Sequence, residues 1–142
     1  MKHVLDTNIF NRLVDGRFSL SLMPEGSAFV ATKIQLEELK QTRDSVRRAA
    51  LLKTFESIAP ELVPALFALD VAGAGLDEGK LGHNDDAMRL RSDLEAAKPK
   101  FNNWHDALIA EVALTHKYTL ITADKTLAEV AKLHGISVHF VY

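Results

Sequence analysis

The sequence predicts an α/β fold in which a mostly parallel sheet of about five strands carries helices on both faces. Two observations lead there. Short apolar runs of strand length alternate with longer stretches whose apolar residues recur at helical spacing, the pattern of βαβ units. Acidic residues follow some of those runs closely, and a parallel sheet gathers the carboxyl ends of its strands at one edge, where ligands bind.

The 142 residues suit one domain spanning 1–142, with a core large enough to fold alone. Hydrophobic residues make up 47% and charged residues 25%, the balance of an ordinary globular protein. The absence of cysteine excludes disulfide scaffolds and thiolate zinc sites, and it is compatible with a reducing cytoplasm, the expected location. No apolar run is long enough to span a bilayer, and the N-terminus lacks the apolar core of a signal peptide. With a formal net charge of −2, a nucleic-acid partner would have to be held by a local basic patch or a metal ion.

Taken in order, Lys2 to Leu5 reads as a short buried strand. Asp6, Thr7 and Asn8 offer capping side chains to a helix in which Ile9, Phe10, Leu13 and Val14 recur, with Gly16 as its stop. Ala28 to Ala31 is a second strand. Thr32 and Gln35 have the spacing of a capping box and open a long helix expected to run to about Ile58, ahead of Pro60. Its apolar side includes Ile34, Leu39, Val46, Ala50 and Leu51, and its polar side carries Lys40, Arg43, Arg47 and Arg48. Pro60 and Pro64 mark a loop, Phe67 to Val71 a third strand, and Gly73-Ala74-Gly75 a turn. Asn84 is placed to cap a helix from Asp85 to about Lys98. Asn102 or Asn103 caps the next, Trp104 to about Lys117. Tyr118 to Thr122 is a fourth strand, Asp124 opens a helix to His134, Gly135 closes it, and Ile136 to Tyr142 is the last strand.

On this layout four acids take related places. Asp6 follows the first strand and Asp124 the fourth. Glu38 lies in the second turn after the second strand, and Asp106 in the first turn of the helix that opens near Trp104. Each has a plainer explanation: Asp6 and Asp124 as helix caps, Asp106 as an acid near a helix dipole, Glu38 as a solvated helix residue. Together they would repel strongly unless a cation lay among them. Hard divalent cations such as Mg2+ or Mn2+ take oxygen ligands, polarise a phosphoryl oxygen and generate hydroxide at neutral pH.

Four stretches carry a family resemblance. VLDTNIF, ATKIQLEELK, HDALIAEVAL and LITADKTL come in order across nearly the whole chain. They resemble the four motifs of the PIN-domain family, most closely its VapC-type ribonuclease toxins of toxin–antitoxin pairs. The second motif's register selects Glu38 and not Glu37. The resemblance implies a PIN-like three-layer sandwich and a metal-dependent endoribonuclease. It implies a metal site of Asp6, Glu38, Asp106 and Asp124 holding Mg2+ or Mn2+, with Thr122, Asn8 and Thr7 orienting ligands or water. It also implies an RNA substrate, a small antitoxin partner and a homodimer. The chain departs from many relatives where Lys125, Thr126 and Leu127 replace a further acid or Asn after the fourth motif.

Other readings stay open at this level. A PIN nuclease of RNA processing outside toxin–antitoxin systems carries the same motifs, and so does a binding module that keeps the fold without activity. An aspartyl phosphatase would need Asp where Asn8 stands, and a phospho-receiver would need paired acids near Asp6. The glycines from Gly73 to Gly79 lack dinucleotide-fingerprint spacing. No HxxxH or HExxH spacing joins the six histidines in a zinc site. His105 is a candidate phosphate contact beside Asp106. Trp104 is a candidate base-stacking residue, and packing at a helix start is the commoner use. Lys40 and Arg43 are candidates for RNA phosphates; for Arg48 a solvated helix face is favoured.

Overall fold

The structure is a computed structural model, and it describes residues 2–63, 81–97 and 103–141, without the side chains of 81–87, 103 and 104. Among the described residues, five parallel strands form one sheet. They are β1 (Lys2–Leu5), β2 (Ala28–Thr32), β3 (Glu61–Val63), β4 (Thr119–Thr122) and β5 (Val138–Phe140), in the order β3-β2-β1-β4-β5. Six α-helices accompany them: α1 (Thr7–Val14), α2 (Lys33–Lys40), α3 (Ser45–Ile58), α4 (Leu81–Ala97), α5 (Asn103–His116) and α6 (Lys125–Leu133).

Strand alternation divides the core in two. Val4, Val30, Val63 and Leu120 face a cluster with Leu90 and Leu94 of α4, Ile109 and Val112 of α5, and Leu127 and Val130 of α6. The intervening residues Leu5, Ala31 and Ile121 face Ile9 and Phe10 of α1, Leu39 of α2, and Leu51 and Phe55 of α3. The result is a three-layer sandwich with three helices against each sheet face. Phe10 and Phe55 meet at 5.4 Å between ring centroids and join α1 to α3.

The strand order places the active edge. From β1 the chain steps outward to β2 and then β3, and it later returns to the other side of β1 for β4 and β5. Two neighbouring strands, β1 and β4, therefore lead away in opposite directions. A crevice opens outside their carboxyl ends, and this switch point is where ligands bind in open α/β sheets. The register Val4↔Leu120 and Leu5↔Ile121 sets Asp6 level with Thr122.

Several boundaries differ from the sequence reading. The long helix from Thr32 is two helices. The capping box of Thr32 and Gln35 forms, but α2 ends at Lys40, and Asp44 caps α3 by accepting the Val46 and Arg47 amides at 2.9 and 3.2 Å. A local cap thus replaces continuation through Gln41–Arg43. It puts Val46 in the first turn of a new helix, where it is exposed instead of in the core. β3 lies at Glu61–Val63, inside the stretch read as a loop between two prolines. It pairs with β2, and its position next to Pro60 suits an edge strand. The strand expected at Phe67–Val71 and the turn at Gly73–Gly75 lie outside the described residues. α4 begins at Leu81, so Asn84, Asp85 and Asp86 stand within the helix and not at its cap. The last strand is shorter than expected, three residues. Gly16 and Gly135 both adopt positive φ just beyond α1 and α6, the left-handed turn that glycine takes without a Cβ clash.

Candidate active site

A cavity of about 260 Å3 opens at the carboxyl edge of β1 and β4, lined by Asp6, Thr7, Asn8, Asn11, Glu38, His105, Asp106 and Asp124. All four acids of the sequence reading therefore border one space. Three helix starts and one helix interior bring them there. Asp6 caps α1 and Asp124 caps α6, accepting the Thr7 and Leu127 amides at 2.7 and 3.1 Å. Asp106 lies in the first turn of α5. Glu38 sits on the sixth residue of α2, whose start is fixed by the capping box at the end of β2. The cap reading of Asp6 and Asp124 and their place in the cavity hold together, because each carboxylate has more acceptor lone pairs than the cap bond uses.

Asp6 is the centre of the arrangement and is 3% exposed. Its second oxygen accepts the Thr122 hydroxyl at 2.7 Å, and the Thr122 oxygen in turn accepts the Asp124 amide at 3.0 Å. Asn8 Oδ1 accepts the Ala123 amide at 3.3 Å. Thr122 itself is fully buried and borders the cavity only through Asp6. Burial pushes the Asp6 carboxyl up to about 7, with the Asp106 charge adding to the rise; hydrogen bonds from Thr122 and the Thr7 amide oppose it. Glu38 is also raised, first by burial and then by Asp106, against the favourable field of His105. The His105 Nδ1 lies 3.2 Å from Glu38 Oε1, an ion-pair distance without hydrogen-bond alignment.

Two residues that the motifs did not mark support this edge. Gln35, fully buried, does more than complete the capping box: its Nε2 donates to the Leu5 carbonyl at 2.5 Å and to the Thr7 hydroxyl at 3.4 Å. It ties the start of α2 to the end of β1. Asn11 lines the cavity while its Oδ1 accepts Arg47 Nη2 at 2.8 Å and Nε at 3.1 Å. Arg47 also reaches Asp15 at 3.1 and 3.2 Å, so this cation clamps α3 onto α1. Arg48 donates to the Thr42 carbonyl at 2.9 Å, and Lys40 pairs with Glu37 at 3.4 Å. Only a long-range partner in α1 marks Arg47 off, and helical spacing holds no sign of it. The Trp104 side chain lies outside the described residues.

The donor set suits a hard divalent cation. It consists of carboxylate oxygens with amide and hydroxyl oxygens beside them, and none of the described residues lining the cavity is Lys or Arg. Burial first and the Asp106 charge second raise the Asp6 carboxyl, and a cation beside it would offset both. Among the described residues no three His, Asp or Glu side chains form a ready-made metal cage.

Comparison of the fold with solved structures gives chain-length likenesses, among them the following three. VapBC2 from Rickettsia felis, bound to a DNA fragment from its promoter, matches with a TM-score of 0.62 at 19% identity over 99% of this chain and 98% of the other. The chain has the VapC-type PIN fold. VapBC-5 from Mycobacterium tuberculosis, of the VapBC toxin–antitoxin family, matches with a TM-score of 0.56 at 25% identity over 99% and 97%. FitAcB from Neisseria gonorrhoeae matches with a TM-score of 0.54 at 19% identity over 96% and 95%. No protein-family model and no curated protein matches the sequence. No described helix is long and apolar enough to cross a membrane.

Proposed function

We propose that the chain is a metal-dependent endoribonuclease and the toxin of a toxin–antitoxin pair. The observation that carries the reading is the convergence of four carboxylates on one cavity at the β1–β4 switch point, with no Lys or Arg among its described lining. Structural stability does not call for such a cluster, since burial and the Asp106 charge raise both Asp6 and Glu38. A binding module without catalysis would tolerate the loss of an acid, and none of the four is missing. The likeness to VapBC toxin–antitoxin complexes favours a toxin over an RNA-processing nuclease and supplies the partner, a small antitoxin protein.

In this reading Asp6, Glu38, Asp106 and Asp124 would hold Mg2+ or Mn2+, one or two of them directly and the others through its waters. When bound, the metal supplies Lewis-acid polarisation of a phosphoryl oxygen and a water of lowered pKa. The chain's own residues do the rest. Thr122 and the Thr7 amide hold both oxygens of Asp6, so the carboxylate cannot rotate away from the cavity. Asn8 anchors the turn that carries Asp124. Glu38, half-buried and raised, is the residue best placed to take a proton from an attacking water, with His105 Nδ1 beside it at 3.2 Å.

The test is cleavage of single-stranded RNA by the purified protein with Mg2+ or Mn2+, stopped by chelator and by Asp6→Asn. Equal residual activity in wild type and Asp6→Asn would overturn the reading. The same reading carries a homodimer, and light scattering on the purified chain checks it; a monomer at micromolar concentration would remove that part alone.

A further inference from the structure

Beside the acidic cavity lies a larger groove of about 640 Å3, whose lining includes Arg12, Lys125, Glu129 and Lys132 with Ala128 and Phe140. The two share walls. α1 presents Asn8 and Asn11 to the acidic cavity and Arg12, one turn after Asn8, to the groove. The turn after β4 gives Asp124 to the cavity and both Ala123 and Lys125 to the groove, and the Ala123 amide donating to Asn8 joins the partition. Along α6, Lys125, Ala128, Glu129 and Lys132 recur at the spacing of one helix face. The two lysines are exposed and stand about 10 Å apart along the helix axis.

The charges of the two spaces are opposed. The groove sets three cations against one acid, Glu129, while the cavity next to it holds four carboxylates. A polyanion gains nothing by approaching the carboxylates first and needs its foothold outside them. We propose that this groove binds the single-stranded RNA segment flanking the cut, with Lys125 and Lys132 on its phosphates and the Phe140 side against a ribose or base. The inference rests on the nuclease reading and adds to it where the strand runs: from the β1–β4 crevice along α6 towards the outer edge of β5. RNA fits the groove better than a protein segment does, because its cations line a path that continues directly from the acidic cavity.

The test is the binding of a fluorescent single-stranded RNA oligonucleotide, followed by anisotropy in the presence of chelator. The double variant Lys125→Gln/Lys132→Gln weakens binding by tenfold or more at low salt. The slope of log affinity against log salt falls by about 1.4, about 0.7 for each phosphate that a lysine no longer neutralises. Lys125→Arg/Lys132→Arg restores both. Unchanged affinity and slope in the glutamine variant overturn the proposal. So does a change in self-association, or in capture of an antitoxin protein, with RNA binding intact, since the groove would then be a protein-docking face. Binding in chelator does not depend on cleavage. Loss of the nuclease reading therefore shows as absent cleavage with metal, and loss of this proposal as lysine-independent binding.

Discussion

The Thr122 hydroxyl donates to Asp6 Oδ2 at 2.7 Å across the seam between β4 and β1, linking residues 116 positions apart. The same oxygen accepts the Asp124 amide, so one side chain sets both the rotamer of Asp6 and the turn that caps α6. Thr122→Val keeps the shape and removes the hydroxyl. It leaves a buried carboxylate oxygen and an amide short of a partner and is expected to cost about 1–3 kcal/mol in chemical denaturation. Thr122→Ser restores most of it. A valine variant as stable as wild type would show that the link carries no weight.

The Asp6 carboxyl predicts how the metal-free protein responds to pH. Its value is raised from 3.8 in the unfolded chain to about 7 in the folded one. Between those values the unfolded state has lost a proton that the folded state keeps, so stability falls as pH rises through the window and levels off above it. Glu38 is shifted in the same direction and adds to the trend. In chelator, the melting temperature should drop from pH 5 to pH 7.5, and Asp6→Asn should flatten that drop. A wild-type profile that rises with pH over the same range would contradict the arrangement.

Divalent cation should act in the opposite sense. At pH 7.5, Mg2+ or Mn2+ binding only the folded state raises the melting temperature with concentration, by about 2.7 kcal/mol of stabilisation at a hundred times the dissociation constant. The rise should disappear in Asp6→Asn and shrink in Asp106→Asn. Thermal shift curves across a metal titration measure it, and an equal rise in wild type and Asp6→Asn would place the cation elsewhere.

Gln35 joins four backbone or hydroxyl groups in the buried corner where β1, β2 and α2 meet. Gln35→Leu fills the space but orphans the Thr32 amide and the Leu5 carbonyl, at about 1–3 kcal/mol for each buried group left unmet. The loss should exceed that of Lys33→Leu on the exposed side of the same turn. Equal stabilities in urea would rule the corner out as a structural tie.

Local chemistry made much of this molecule legible in one dimension. The capping box of Thr32 and Gln35, the caps at Asp6 and Asp124, the stop at Gly135 and the alternation of Val4 and Leu5 between two cores all rest on neighbours a few residues apart. The order of the motifs pointed to the four acids for the same reason, since each stands at a fixed offset from a strand or helix start. The break between α2 and α3 was harder to see, because Asp44 competes with a continuous helical pattern, and only packing against α1 decides the contest in favour of the cap. The short β3 was hidden as well: three residues next to Pro60 have no periodicity, and pairing with β2 defines them.

What remained for the tertiary structure was adjacency. No spacing along the chain says that β4 returns to lie beside β1, that Asp106 opens its helix at the same edge, or that Arg47 spends its charge on Asn11 and Asp15. These depend on contacts between residues tens of positions apart, and such contacts form only when burying both faces of the sheet outweighs the entropy of bringing distant segments together. Sequence named the acids; the return of the chain after β3 to lay β4 beside β1 gave them a common cavity.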